Sequence, residues 1–502
     1  MFKTKVLVAL ALAFICLFSL VACETRPSGN DDKTDKVEKT SVTTTENTTT
    51  TTVPASTKSK FTDEKNNLPI ERTVNQNGNA NDEFIESLDG FTLKILYPQK
   101  NIASEKHKEN NKKSKKAIKN LYGIKIKEDY LVNDYNEALF SELSAKRSEN
   151  HIYFAESGNF ATYFKNGFLA DLTLGMEESG VDFKSPWYVS KGCQFLNIDG
   201  KQYGWMSYED DSTMPSFIIY NKKLLRKKGL KDPVKLADEG KWTVETLKEY
   251  SLNFSGKTTG FYGRGISLFA TIANQNGVGI SKISKGSQPM TNINNPKVAT
   301  ALETYGEWVS GEESWCETFH GKKNSYAQNR LANGKIAMYY GGFDDIRAIK
   351  GSDFAKNVGI VSFPTKTESG KFTNVCIPKY ATFIPACHQQ EVAKILFAID
   401  EYYRYNYRYV KKNFIADWKE YLGNNKVINN AFDIKYGKYE KNVKFCFTSF
   451  CEKPDASVTT ESILLQVQSG EVSATQAIND GKNALTKEYS EVWKGHRTTG
   501  NV

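Results

Sequence analysis

Tyr203, Trp205 and Tyr208 lead directly into an acidic run, Glu209-Asp210-Asp211. Flat aromatic faces beside carboxylates suit a pyranose, whose ring presents apolar C–H faces and hydroxyl edges. The same residue types also suit a second reading, in which the rings are core and the acids a solvated loop. Both readings stand on the residues alone. After the acids, Phe217 to Tyr220 is β-branched and aromatic and reads as a short buried strand. Asn221-Lys222-Lys223 turns it into a helix, Leu224 to Lys228, stopped at Gly229.

Other chemistries find little support. The histidines, at 107, 151, 320, 388 and 496, are scattered, and no H-E-x-x-H or G-x-S-x-G occurs. Gly256-Lys257-Thr258 and Gly263-Arg264-Gly265 lack the remaining glycines of a phosphate loop. Asp210-Asp211 and Asp344-Asp345 are acid pairs of the kind a glycosidase uses, but nothing sets either pair across a cleft. No catalytic residue, cofactor or metal is expected.

The elements that must position the aromatic–acidic stretch alternate in type. Phe91 to Tyr97, Ile124 to Tyr130 and Ile152 to Ala155 read as strands; Ser104 to Leu121 and Tyr135 to Ser148 read as helices. Such alternation implies a mostly parallel sheet, which binds ligands beyond the carboxyl ends of its strands. Thr243 caps a helix reaching Tyr250, and Pro296 to Ser310 is another. Glu391 to Tyr403 is a helix running into a Tyr/Arg-rich segment, read as a packed face rather than a single-strand nucleic-acid platform.

The segment from Tyr203 through Ile218-Ile219-Tyr220-Asn221-Lys222 to Gly229-Leu230-Lys231-Asp232-Pro233, followed by Trp242-Thr243, resembles the family 1 extracellular solute-binding proteins. These are the receptors of ABC importers, of which maltose-binding protein is a familiar relative. Phe168 to Thr173, Gly260 to Gly265, Leu331 to Phe343 and Ile463 to Val492 match further family segments in the family's order. The resemblance covers roughly residues 88 to 495. It implies an α/β, two-lobed periplasmic-binding-protein fold of type II, with the lobes linked by hinges. It places ligand contacts in the loop of Glu156 and Asn159 and at the glycine turn of Tyr340 and Phe343, where Phe343 replaces the usual tryptophan. With Trp205, Tyr208, Glu209 and Asp211 these complete the expected site. The implied ligand is a carbohydrate. A peptide or polyamine, a carbohydrate-active enzyme and a surface adhesin are the alternatives.

The amino terminus carries a separate message. Lys3 and Lys5 precede an apolar run, Val6 to Leu20, too short to span a bilayer comfortably. Leu20-Val21-Ala22-Cys23 resembles a bacterial lipobox, which implies removal of residues 1–22 and a lipid on Cys23. Residues 23–87 are polar and threonine-rich and read as a disordered tether spanning on the order of 40 Å. The expected lobes are 88–208 with about 376–440, and 209–375 with about 441–495. Net charge is +9, part of it in a lysine-rich helix read as a solvated face rather than a nucleic-acid patch. Cys193, Cys316, Cys376, Cys387, Cys446 and Cys451 leave disulfides and buried thiols equally open. The expected partners are a small-molecule solute, an ABC permease and, through the lipid, the outer face of the cell membrane. The receptor itself is expected to be a monomer.

Overall fold

The computed structural model describes residues 82–98, 103–131, 133–208, 211–283, 289–318, 324–452 and 456–493. The leader, Cys23 and most of the tether lie outside the described residues, as do Glu209, Asp210 and the side chain of Asp211. The tether expectation is corrected at its end. Asp82–Glu86 is helical, and Phe84 meets the ring of Phe397 edge-on at 5.8 Å.

Local signals set most elements. Ser104 caps the helix Glu105–Tyr122 through the His107 amide, and Gly123 ends it in the left-handed region at φ 72°. Thr243 caps Val244–Leu252 in the same manner. Gly470, at φ 75°, closes Thr460–Ser469.

Two sheets share one order. In the first, Lys125–Tyr130 pairs parallel with Thr92–Tyr97, which a bridge at Ile95 and Ile152 joins to Tyr153–Glu156. Tyr380–Phe383 follows antiparallel, and Trp205 bridges Thr382 on its far side. In the second, the order is Cys316–Glu317, Thr259–Gly263, Ile336–Gly341, Phe217–Asn221, Val358–Val361. Its fourth strand, Phe217–Asn221, is again the antiparallel one.

Each antiparallel strand is supplied by chain that has just left the other sheet. Phe217–Asn221 follows Trp205 of the first sheet, and Tyr380–Phe383 follows Val361 of the second. The two crossovers touch, since the Ser216 amide donates to the Val375 carbonyl at 2.8 Å. Asn374–Cys376 also pairs parallel with Val443–Phe445, bringing a third pass of the chain to this point.

Helix Val392–Tyr407 packs on the first sheet. Its buried Asp400 accepts from Trp187 Nε1 at 2.8 Å and from the Tyr188 hydroxyl at 2.9 Å. The expectation that the chain stays with the first lobe to about 440 is corrected beyond this helix. Val410–Lys419 and Asn425–Lys435 bury Phe414, Trp418, Val427 and Ile428 against Phe217, Tyr339 and Val358 of the second sheet. Their apolar stripes match that sheet's outer face.

The six cysteines beyond residue 23 are all free thiols, and all but Cys387 are buried.

Candidate ligand cleft

The parallel strands of the first sheet end at Tyr97, Tyr130 and Glu156, and those of the second at Gly263, Glu317 and Gly341. The antiparallel strands begin on these same edges, with Tyr380 opposite Glu156 and Phe217 opposite Gly341. Both crossovers therefore run from one carboxyl edge to the other, and the two edges face a common cleft.

Lys379, at the end of one crossover, ties the edges together. Its carbonyl accepts from the Ser157 amide at 2.8 Å, and its ammonium pairs with Asp344 of the second lobe. Arg347 Nη1 reaches the same carboxylate at 3.2 Å. Burial pushes the Asp344 carboxyl up, but Lys379, Arg347 and Arg264 outweigh it and hold the group below its ordinary range.

Beside this pair stands a buried polar cluster. Asp345, fully buried, accepts at Oδ1 from Arg264 Nη2 (2.8 Å), the Tyr339 hydroxyl (3.1 Å) and Gln328 Nε2 (3.1 Å). Its Oδ2 accepts from the Gly342 amide at 2.9 Å. Helices Ser157–Lys165 and Gly265–Gln275 start from the facing edges, so their first amides are directed to the cleft.

The expected site residues divide. Glu156 is exposed and Asn159 half-buried at the start of one of these helices. Tyr208 is half-buried; its hydroxyl donates to Glu440 Oε1 at 3.0 Å, and burial together with Glu440 pushes its phenol up. Three expectations are corrected. Trp205 is fully buried, with both backbone groups bonded to Thr382 and its ring stacked on Phe183 at 6.0 Å. Tyr340 is fully buried, shares a 2.7 Å hydrogen bond with Thr271 and meets Phe363 edge-on. Phe343 lies between Trp418 at 4.6 Å and Arg347 at 4.4 Å. In each case packing takes the ring face a ligand would need.

Other residues occupy the edges instead. Tyr130 stacks on Tyr97 at 5.3 Å and 16°, and remains 37% exposed. Arg264 and Lys379 supply cations there. Their signal in the sequence was position alone: each lies at or next to a strand end.

One group of described residues has metal-ligating types together. His151, His388 and Glu391 hold their ligand atoms within 4.8 Å of one another. The expectation of scattered histidines is corrected for this pair. Three of the four ring nitrogens are already engaged: the Lys94 amide donates to His151 Nδ1 at 3.2 Å, and His388 meets Glu391 at 3.1 Å and the Ser148 carbonyl at 3.2 Å. This is the edge opposite the cleft, where His151 finishes the strand ladder. Burial, then His388, lowers the His151 pKa to about 4. The unfolded chain, with a histidine pKa of about 6.5, takes up this proton first. The stability contributed by neutral His151 is therefore complete above that value and is lost as pH falls toward about 4. A His151→Gln variant, which still offers the Lys94 amide an oxygen, should melt with a flatter pH dependence across this window. Parallel slopes for parent and variant would remove the assignment.

Two sheets of equal order that exchange their antiparallel strands through paired crossovers define a two-lobed binding protein of type II. The sequence pattern of the family described as bacterial extracellular solute-binding protein matches residues 113–383, more than half of the chain, and the chain belongs to that family. Among solved structures, an ABC substrate-binding protein of Listeria monocytogenes in complex with cycloalternan is 19% identical. That match covers 79% of this chain and 98% of the other, with a TM-score of 0.55. The cyclic α-maltosyl-1,6-maltose binding protein of Arthrobacter globiformis is 14% identical over 80% and 99% of the two chains, with a TM-score of 0.55. A cyclo/maltodextrin-binding protein complexed with maltotetraose is 16% identical over 79% and 97%, with a TM-score of 0.54. No curated protein matches the sequence. No helix among the described residues is long and apolar enough to cross a membrane.

Proposed function

We propose that the chain is the receptor of an ABC importer, capturing an oligosaccharide between its lobes and held at the cell surface by a lipid on Cys23. The observation that carries the ligand class is the set of structures sharing this fold. Those compared above hold cycloalternan or maltotetraose, or are named for a cyclic maltosaccharide. On this chain, the Tyr97–Tyr130 stack offers an aromatic face at the cleft edge. Glu156, Asn159, Tyr208, Arg264 and Lys379 offer donors and acceptors for hydroxyls, and Glu209 and Asp211 belong to the same proposed set. Trp205, Tyr340 and Phe343 act as packing. The crossovers at 206–216 and 362–379 serve as hinges, so that ligand contacts with both lobes favour the closed form and mark a loaded receptor for the permease. Binding without turnover fits the acid pair at 344 and 345, since both carboxylates are engaged by cations. The receptor works as a monomer. Anchoring is supported by Leu20-Val21-Ala22-Cys23 and the polar segment after it.

A thermal-shift screen over linear and cyclic maltosaccharides, xylo-oligosaccharides, peptides and polyamines tests the ligand class. A carbohydrate present at a hundred times its Kd should stabilise the protein by about 2.7 kcal/mol, raising Tm by roughly 5 °C. Tyr130→Ala should weaken that carbohydrate about tenfold, since a stacked ring is worth roughly 1 kcal/mol or more. A shift with a polyamine or peptide and none with any carbohydrate would overturn the ligand class.

A further inference from the structure

Helix Glu105–Tyr122 carries its lysines in two different states. In its first half, Lys106 and Lys113 pair with Glu109 at 2.8 and 2.7 Å, and Lys108 pairs with Glu105 at 2.8 Å. Lys115, half-buried, pairs with Glu128 at 2.6 Å. Lys112, Lys116 and Lys119 are exposed and make no ion pair among the described residues. Their spacing is i, i+4, i+7, so they form one stripe about 10 Å long on the face opposite buried Ser114 and Ile118. Lys112 reaches Glu105 only through a longer-range attraction, and a row of like charges without close partners costs self-repulsion that an anionic surface relieves.

The stripe also has a position. Its Lys119 end adjoins Gly123, where any Cβ would lie 1.9 Å from Asp89 Oδ1. Asp89 lies three residues beyond the first described helix, Asp82–Glu86, and the Ser87 carbonyl accepts from Lys394 Nζ at 3.2 Å. The amino-terminal segment therefore joins the fold beside the unpaired lysines.

We propose that Lys112, Lys116 and Lys119 dock the receptor on the anionic lipid headgroups of the membrane that holds it. Charge complementarity and the place where the amino-terminal segment meets the fold favour this occupant. The proposal rests on the anchoring reading for the nearness of the membrane; the docking itself needs only the stripe. Three lysines at an anionic surface contribute on the order of a hundredfold in association, and salt weakens the contact. Docking would fix the first lobe toward the bilayer and leave the second free to move.

The test uses the full chain reconstituted on vesicles of phosphatidylcholine alone or with one-third phosphatidylglycerol. Acetylation of single lysines is followed by mass spectrometry, with exposed Lys257 and Lys335 on the second lobe as internal controls. The expected result is protection of the three stripe lysines by about tenfold on the anionic vesicles only, lost at high salt. A triple variant, Lys112→Gln with Lys116→Gln and Lys119→Gln, should bind anionic and neutral vesicles equally. Equal acetylation on both vesicle types would overturn the proposal. Equal protection on neutral vesicles by added poly(glycerol phosphate) would overturn the lipid assignment in favour of an anionic polymer. A Cys23→Ser chain separates the two readings. If it stays on neutral vesicles as firmly as its parent, the lipid anchor fails, while stripe protection on anionic vesicles still upholds docking.

Discussion

Trp205→Ala should lower the stability of the receptor by about 3–5 kcal/mol while leaving the ligand affinity of the folded fraction unchanged. The side chain is fully buried among Phe183, Tyr188 and Tyr403, and it sits on the strand that closes the first sheet. Deleting it leaves a cavity that residues fixed on two layers cannot fill by collapse. The melting temperature should drop by roughly 6–10 °C. A loss of affinity of tenfold or more, with the melting curve unmoved, would return the ring to the cleft.

Asp345→Ala should be at least as damaging, by a different route. It strands Arg264, the Tyr339 hydroxyl, Gln328 and the Gly342 amide, all of which donate to this one buried carboxylate. Breaking a buried pair from one side costs about 3–5 kcal/mol, chiefly because one charge stays behind. Arg264→Met added to Asp345→Ala should therefore recover part of the loss, although it removes a further residue. Denaturant unfolding of the parent, both single variants and the double variant measures the coupling. Strict additivity of the two single losses would show that the pair does not act as a unit.

What the sequence disclosed follows the range of the forces involved. Caps, αL glycines and apolar periodicity act within a few residues, so the Thr243 cap and the stop at Gly229, at φ 70°, could be read directly. The resemblance located the carboxyl edges at residues 156, 208 and 343. It could not say which way a ring points once it arrives there. Tyr339 and Tyr340 are adjacent in an all-buried strand, and pleating sends one to Tyr262 and Asp345 and the other to Thr271 and Phe363. With no polar partner in the alternation, the sequence carries no sign of inside or outside. Arg264 was set aside with a failed phosphate loop, and Lys379 stands in a segment without a motif. His151 and His388 meet only because Tyr380–Phe383 returns to the first sheet, a long-range pairing that no local pattern records.

That return sets an order in time. A chain delivered amino end first presents Tyr153–Glu156 long before Tyr380–Phe383, its antiparallel neighbour, can reach it. Every strand of the second sheet is delivered in between. Until then the first sheet ends in an unpaired edge, the arrangement most open to pairing with a foreign strand. Closing so long a loop is slow, and the contacts that reward it come last. The first sheet can therefore be completed only near the end of delivery, and a product truncated before residue 380 lacks the strand that closes it.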